Sequence, residues 1–428
     1  MTQTKSIADI AAMLQGYDPQ ALSAQDVLKF LSELVGKPSG LSDFEEIEIF
    51  QSLGRILAKD VISPIDVPPH DNSAMDGFAF KGQQLTSHNA LTLKVVGTAL
   101  AGKAWQGHVS DGECVKIMTG AIMPHGLDTV IPQELCESLS AESITFASSV
   151  LKTGDNRRLR GEDIAQNRPA LLQGSRITPA AAGLLASLGL PKVTVYRRLK
   201  VAYFSTGDEI LSLGQVPREG AVYDSNRYTV FGMLQELGCE MIDMGVVKDD
   251  PQLLEQAFKN ASELADAIIT SGGVSVGEAD FTKAMMKKLG DVAFWKIAMR
   301  PGRPMAVGRI TYGHRSAVLF GLPGNPVAVM VTFLAFVKPA LLQMMGCKTS
   351  PPPLMRAMTQ EVLRKKPGRT EYQRGIVTRN AQGDLEVVTT GNQGSGVLSS
   401  MVQANALIVL NHTQSTAQVG DWVDVLML

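Results

Sequence analysis

The chain has 428 residues, is 45% hydrophobic and 19% charged, and carries a formal net charge of −2. That length implies roughly two to four domains with room for large cores, and the near-neutral balance excludes a global basic field for nucleic acid or an anionic membrane. Any anion site must therefore be built locally.

Cys114, Cys136, Cys239 and Cys347 lie far apart with no CxxC pair, and the six histidines form no ligand spacing. Zinc, iron–sulfur and disulfide frameworks are thereby disfavoured, and a reducing cytoplasm fits. The N-terminus mixes acidic and basic residues and lacks the basic-then-apolar order of a signal peptide.

Residues 6–35 carry helical periodicity (Ile10, Met13, Leu14, then Val27, Leu28, Phe30, Leu31, Leu34) and read as one or two helices. Residues 36–42 break that pattern as a linker. A short amphipathic helix is expected near 44–59. From 64 to 164, short β-rich runs alternate with Gly, Pro and Asp turns, as in a small β domain. Residues 178–188, rich in Ala and Leu, read as helix.

Residues 199–346 form the clearest block. Strands are expected at 200–204, 240–247, 266–270, 292–299 and 316–321, with helices at 225–237, 251–265, 281–289 and 326–345. This alternation predicts a mostly parallel sheet with helices on both faces. The apolar run 327–337 is cut by Lys338 and Pro339, too short to span a bilayer, and reads as a buried helix. Residues 347–353 form a Pro-rich linker. Alternating runs from 354 to 428 predict a small β-barrel, with a hairpin at NAQGDL.

Ligands of open α/β sheets bind outside the carboxyl ends of the strands. After the first strand of this block come Ser205, Thr206, Gly207, Asp208 and Glu209; after the second, Asp249 and Asp250. After the third comes TSGGVSVGEADF, with Ser271, Gly272, Gly273, Ser275, Glu278 and Asp280. Its bare amides and hydroxyls suit an oxyanion, and carboxylates beside an oxyanion call for a hard cation such as Mg²⁺. After the fourth come Arg300, Pro301, Gly302 and Arg303, with Lys296 inside the run. After the last, Pro323, Gly324, Asn325 and Pro326 open a helix, whose N-terminus favours anions. An acidic pair such as Asp249–Asp250 also reads as a helix cap, but five such loops converging on one edge exceed what capping needs.

Residues 97–103 imitate a P-loop but put Ala104 where the Mg²⁺-binding hydroxyl belongs, so they read as a β-turn. The β-rich region adds residues 68–77, PPHDNSAMDG, with Asp71, Asn72, Ser73 and Asp76 behind a rigid proline entry. Thr119 ends a strand in KIMTG. In NRRLRGED, Arg157, Arg158 and Arg160 either hold a second anionic group or pair with Glu162 and Asp163.

PPHDNSAMDG, KIMTGA, RLRGEDI, FSTGDEI, YDSNRY, SGGVSVGEADF, RPGRP and GLPGNPVA stand in the order found in molybdopterin molybdenumtransferases, and the chain resembles that family from about residue 41 to its end. The family includes the C-terminal part of gephyrin. The resemblance implies a multidomain α/β fold: a doubly wound, mostly parallel sheet domain (198–347), an inserted β-rich domain (65–164), an elongated helical dimerisation region (1–64 with 165–197) and a C-terminal β-barrel (348–428). It implies transfer of molybdate into adenylylated molybdopterin with Mg²⁺-dependent release of AMP, in a homodimer whose site is shared between subunits. Asp76 and Thr119 would act across the dimer from Glu209, Asp249 and Asp280, the last three holding Mg²⁺. Ser271, Gly272, Gly273 and Asp163 would bind substrate, with Lys296, Arg300, Arg303 and Pro323–Pro326 holding molybdate. The family often has Lys where this chain has Arg300 and Arg303, which alters the contact geometry. Partners implied are a molybdopterin adenylyltransferase and molybdoenzymes, with neither nucleic acid nor membrane.

Other readings are a molybdopterin adenylyltransferase, a scaffold with a decayed site, and a paralogue preferring tungstate. The extra domains and PPHDNSAMDG argue against the first, and the retained carboxylates against the second.

Overall fold

The computed structural model describes residues 5–14, 16–36, 43–85, 90–273, 281–348 and 353–428. Its central layer is a six-stranded sheet of β1 (Lys200–Thr206), β2 (Glu240–Val247), β3 (Ala267–Ser271), β4 (Gly290–Lys296), β5 (Pro304–Tyr312) and β6 (Arg315–Leu322), in the order β2-β1-β3-β6-β5-β4. β2, β1, β3 and β6 are parallel neighbours, and β5 runs antiparallel between β6 and β4. The carboxyl ends of β1, β2, β3, β4 and β6 therefore share one edge with the start of β5.

β5 is absent from the sequence expectation. It forms a hairpin with β6 through Gly313–His314, where Gly313 has a φ of 60°. Gly290 was expected to close the preceding helix; instead it opens β4, and a Cβ there would strike the Arg309 carbonyl.

Strand alternation builds two cores, because successive side chains point to opposite faces. Val201, Tyr203, Ile269 and Phe320 face helices Ser225–Leu237 and Pro326–Thr332, whereas Ala202, Phe204, Ile268 and Leu319 face the layer of helices Pro251–Leu264 and Phe281–Leu289.

The first core also takes in the N-terminal helices. Ala24–Val35 buries Val27, Phe30, Leu31 and Leu34 there under a Ser23 cap, and each such side chain contributes about 1.5–3 kcal/mol relative to exposure. Residues 5–36 thus pack onto the α/β sheet.

The helix after β6 runs through Lys338 and Pro339 to Met344, close to the expected 326–345. It is α-helical over Pro326–Thr332, widens to a π turn over Phe333–Val337, and resumes at Lys338–Met344. Pro339 has no N–H to donate, and the wider turn adjoining it absorbs the interruption. Its 19 residues are long and apolar enough to cross a bilayer, yet Val327, Val329, Phe333, Phe336 and Leu341 are buried in the first core.

Residues 44–59 are not the expected helix. Phe44–Glu48 is a strand paired with Lys192–Tyr196, and a single 3₁₀ turn follows at Ile49–Gln51. Ile47 and Val193 meet Leu57, Ile177 and Leu185, the last from helix Pro179–Ser187, in a separate small core. The β-rich insertion has its own six-stranded sheet, Thr129–Pro132, Gly77–Phe80, Glu113–Ile117, Ala90–Ala99, Ser143–Ala147 and Ser138–Leu139 in spatial order. In the C-terminal region, Met355–Thr359, Thr370–Arg379, Leu385–Thr389, Ala406–Leu410 and Trp422–Met427 close into a barrel. Its first strand precedes the expected run EVLRKKP. Met299–Arg300 adds alongside Thr370–Glu371 and ties the barrel to the α/β sheet.

Candidate active site

The shared edge gathers the residues singled out in its loops. At the end of β1, Gly207 has a φ of 139° and the Glu209 carboxylate folds back over it. Gly207 N–H donates to the Val247 carbonyl at 3.4 Å, joining the first loop to the second. There the two aspartates divide. Asp250 caps helix Pro251–Leu264, accepting from Gln252 and Leu253 N–H at 2.9 Å each, whereas Asp249 is exposed beside it. Among the described residues no group of three or more His, Cys, Asp or Glu side chains is arranged to hold a metal. Asp280, Glu278 and Ser275 lie outside the described residues.

Gly272 and Gly273, at the end of β3, have φ of 89° and 63°. A Cβ on Gly272 would come within 2.5 Å of the Thr206 carbonyl, and one on Gly273 within 2.6 Å of Thr282. Only glycine fits this approach, which brings the backbone turn tight against β1. Gly272 N–H donates to the Leu322 carbonyl at 3.3 Å.

Ser271 does not present an open hydroxyl. It is 3% exposed and its Oγ lies 2.7 Å from Tyr203 Oη, which also meets Ser205 Oγ at 2.9 Å. Burial pushes the Tyr203 phenol well above its ordinary value, and the nearby Asp224 charge adds to it.

Asp224 and Asn226, from the YDSNRY segment, join this edge from the start of helix Ser225–Leu237. Asp224 caps helix Ser225–Leu237 through Oδ1, and Asn226 Nδ2 donates to the Gly324 carbonyl at 2.8 Å. Asp224 Oδ2, Asn226 Oδ1 and the hydroxyls of Thr206, Thr270 and Thr282 are buried without a partner. Such atoms are rare in folded proteins, and these five belong to β1, β3 and the first turns of the two helices beside them. Asn325 precedes helix Pro326–Thr332 without capping it, leaving that N-terminus uncapped by a side chain.

The cationic limb runs from Lys296 to Arg303. Ile297 N–H donates to the Arg303 carbonyl at 2.7 Å, closing a loop on which Arg300 and Arg303 are exposed. Gly302, with a φ of 96°, sits against Thr332. A cleft follows, lined by Arg300, Pro301, Glu371, Gln373, Arg374 and Gln393. Arg374 is 1% exposed; its Nε donates to Ser400 Oγ at 2.9 Å and an Nη donates to the Gly394 carbonyl at 3.0 Å. Burial, reinforced by Arg300, lowers its pKa below the ordinary arginine value. The buried Glu371 carboxylate is already bound by Arg369 at 2.7 Å. Two guanidinium groups thus share a cleft whose one carboxylate is taken, an arrangement suited to a small oxyanion. The barrel's part went unread in the sequence, where the available signal was Glu371 and Arg374 inside a strand with buried neighbours.

In the β-rich domain, Thr119 N–H and Oγ donate to Asp76 Oδ1 at 2.6 and 2.7 Å. These bonds, the backbone one foremost, hold the Asp76 carboxyl below its usual range. Asp76 and Thr119 are therefore one unit. The NRRLRGED arginines are partly neutralised: Arg158 pairs with Glu162, Arg160 with Asp66, and Arg157 lies 3.6 Å from Asp71. Asp163 is exposed, its N–H bonded to the Val67 carbonyl. None of the bonds described joins Asp76 and Thr119 to the loops of the α/β edge.

Residues 22–189 match the MoeA N-terminal region (domain I and II), residues 202–343 a probable molybdopterin binding domain, and residues 356–428 the MoeA C-terminal region (domain IV). A molybdopterin molybdenumtransferase of Haemophilus influenzae is 44% identical over 382 residues, covering 89% of this chain and 93% of the relative. One from Nostoc sp. is 35% identical, covering 97% and 95%. The crystal structure of the molybdopterin biosynthesis MoeA protein from Pyrococcus horikoshii OT3 aligns with a TM-score of 0.77 at 25% identity, over 96% of this chain and all of that one. With family models over residues 22–189, 202–343 and 356–428 and relatives at 44% and 35% identity, this chain belongs to the molybdopterin molybdenumtransferases, the transferases of molybdenum cofactor biosynthesis.

Proposed function

We propose that the chain inserts molybdate into adenylylated molybdopterin and releases AMP with the help of Mg²⁺. The observation that carries this reading is the pairing of two features on one edge. A glycine turn with the buried, unpartnered hydroxyls of Thr206 and Thr282 against it lies at the ends of β1 and β3, and a cleft carrying two arginines opens beside the Lys296–Arg303 limb. The first suits a pyrophosphate and the second a tetrahedral dianion.

Glu209 and Asp249, on adjacent strand ends, would hold Mg²⁺ together with Asp280, which lies outside the described residues. That donor set fits a cation that takes one or two carboxylates together with substrate phosphate oxygens. Bound there, Mg²⁺ supplies charge neutralisation and polarisation of the phosphorus.

The chain's own residues do the positioning. Gly273, Gly324 and Asn325 cradle phosphate oxygens with backbone amides, Gly272 shapes the turn with its own N–H bonded to the Leu322 carbonyl, and Ser271 is fixed beneath them by Tyr203. Lys296, Arg300, Arg303 and the newly identified Arg374 orient the oxyanion beside the dithiolene.

Asp76 and Thr119 complete the site from a second subunit of a homodimer. Exposed Phe44, Phe50, Leu53, Ile62 and Leu172 on the region built from residues 43–64 and 165–197 offer an apolar contact face for that dimer. The wide spacing of the cysteines fits the reducing cytoplasm, where a molybdopterin adenylyltransferase would deliver the substrate and molybdoenzymes would receive the product.

The test supplies purified protein with adenylylated molybdopterin, Mg²⁺ and molybdate and measures AMP. Release that saturates in molybdate is expected. Absence of AMP with every component present would overturn the reading.

A further inference from the structure

The limb that carries Lys296 and Arg300 leaves β4, the edge strand of the sheet. Its backbone is gripped by a segment nearly 280 residues away in sequence. Lys296 N–H donates to the Pro19 carbonyl and Ala298 N–H to the Leu22 carbonyl, both at 2.8 Å, and Leu22 pairs in parallel with Ile297. Beside them the indole N–H of Trp295, a residue 2% exposed, donates to Tyr17 Oη at 3.0 Å. Phe30 locks the pair from behind, edge-on to Trp295 at 4.8 Å and stacked with Tyr17 at 6.1 Å. On its other side the limb is bound to the barrel, where Thr370 N–H donates to the Ala298 carbonyl at 2.9 Å.

We propose that residues 17–22 are a positioning element of the oxyanion cleft, a short added strand that sets where Lys296 and Arg300 project, with Tyr17 acting through Trp295. This rests on the reading of those two residues as oxyanion ligands. The physical case is the chain of backbone bonds. β4 lies at the sheet edge and has a strand partner on one side only, β5; the barrel holds the limb at Ala298–Arg300, and residues 17–22 supply the grip on the open side of Trp295–Ala298. The grip falls on residues 295–298, where β4 ends and the limb begins. A residue that merely filled the core would have no reason to bond there.

The experiment compares Tyr17→Phe with the unaltered protein in AMP release, titrating molybdate at saturating adenylylated molybdopterin and then the reverse. The substitution keeps the ring in the Phe30 stack and removes only the acceptor of the buried indole N–H. The worth of one buried hydrogen bond bounds the expected rise in half-saturating molybdate at about fivefold, with the limiting rate and half-saturating pterin unchanged. A Tyr17→Phe protein with lower thermal stability but unaltered molybdate dependence would reduce the segment to a structural strap and overturn the proposal. So would an equal rise for both substrates. Deleting residues 1–18 should raise half-saturating molybdate further, and a folded deletion variant with unaltered molybdate dependence would overturn it too. Lys296→Ala in the same titration separates the two readings. If it leaves molybdate dependence unchanged, the cleft assignment itself fails, whatever Tyr17→Phe does.

Discussion

Asp249 and Asp250 stand side by side after β2, yet the helix uses only one of them as its cap. The sequence alone allowed either for that role, because an N-cap depends on where the backbone leaves the extended region, and adjacent acids look alike on paper. Arg300 and Arg374 show the opposite case. Arg300 was legible because it sits among Gly and Pro after a strand. Arg374 was not, because its burial arises only when the barrel closes around Ser400, Asn392 and Gly394. The pair gives a prediction at this scale. Arg300 is exposed, so Arg300→Ala should change stability by no more than about 0.5 kcal/mol. The same change should raise half-saturating molybdate by about ten- to hundredfold, the worth of a charge-assisted hydrogen bond. Arg374→Ala should raise half-saturating molybdate and also lower stability beyond that limit, since it strands a hydroxyl and two carbonyls. Thermal melts beside molybdate titrations check this; an Arg300→Ala protein with normal molybdate dependence would remove Arg300 from the cleft.

Elements were legible where their neighbours in sequence are also their neighbours in space. β1, β2 and β3 announce themselves by apolar runs closed by Gly and Asp, and the helices between them by caps and period. β5 was missed because MAVGRITY follows the RPGRP loop and is split by Gly308. That glycine is required by close approach, since a Cβ there would meet the Asp291 carbonyl of β4. The outer helix layer carries its own titration. Glu255 on helix Pro251–Leu264 accepts from Lys288 of helix Phe281–Leu289 at 2.6 Å and pairs with Lys259 at 2.9 Å. Lys288 first, then Lys259, lowers its pKa from 4.5 to about 2. A carboxylate depressed on folding contributes stability above its unfolded pKa and loses it as pH falls through the folded one. The stabilisation should therefore be present at neutral pH and fade between about 4.5 and about 2. Its size is modest, because the pair is solvent-screened. Melting curves of Glu255→Gln and the parent should differ at neutral pH and converge near the bottom of that window. A gap that stays constant across it would mean that Lys288 and Lys259 are not what depresses the Glu255 carboxyl.

The whole molecule divides its candidate chemistry between separate bodies. Asp76 and Thr119 are fixed by bonds inside the β-rich insertion, while Glu209, Asp249 and the glycine turn are fixed at the α/β edge. Sequence order revealed the two groups but not their relation, since one chain's motifs carry no record of a second copy. If a twofold dimer completes the site, the two groups complement each other between subunits, because a closed twofold interface is built from the same surfaces on both sides. Asp76→Ala and Asp249→Ala should each be inactive alone. In a mixed dimer, one site combines both lesions and the other combines neither. Random exchange of equal amounts makes half of all dimers mixed, so AMP release should recover to about one quarter of the parent rate. The check is to unfold and refold the two variants together and assay against each refolded alone. Recovery establishes that a single catalytic centre draws on two chains. No recovery, in a mixture shown by differential tagging to contain mixed dimers, means that each chain brings its own insertion to its own sheet edge.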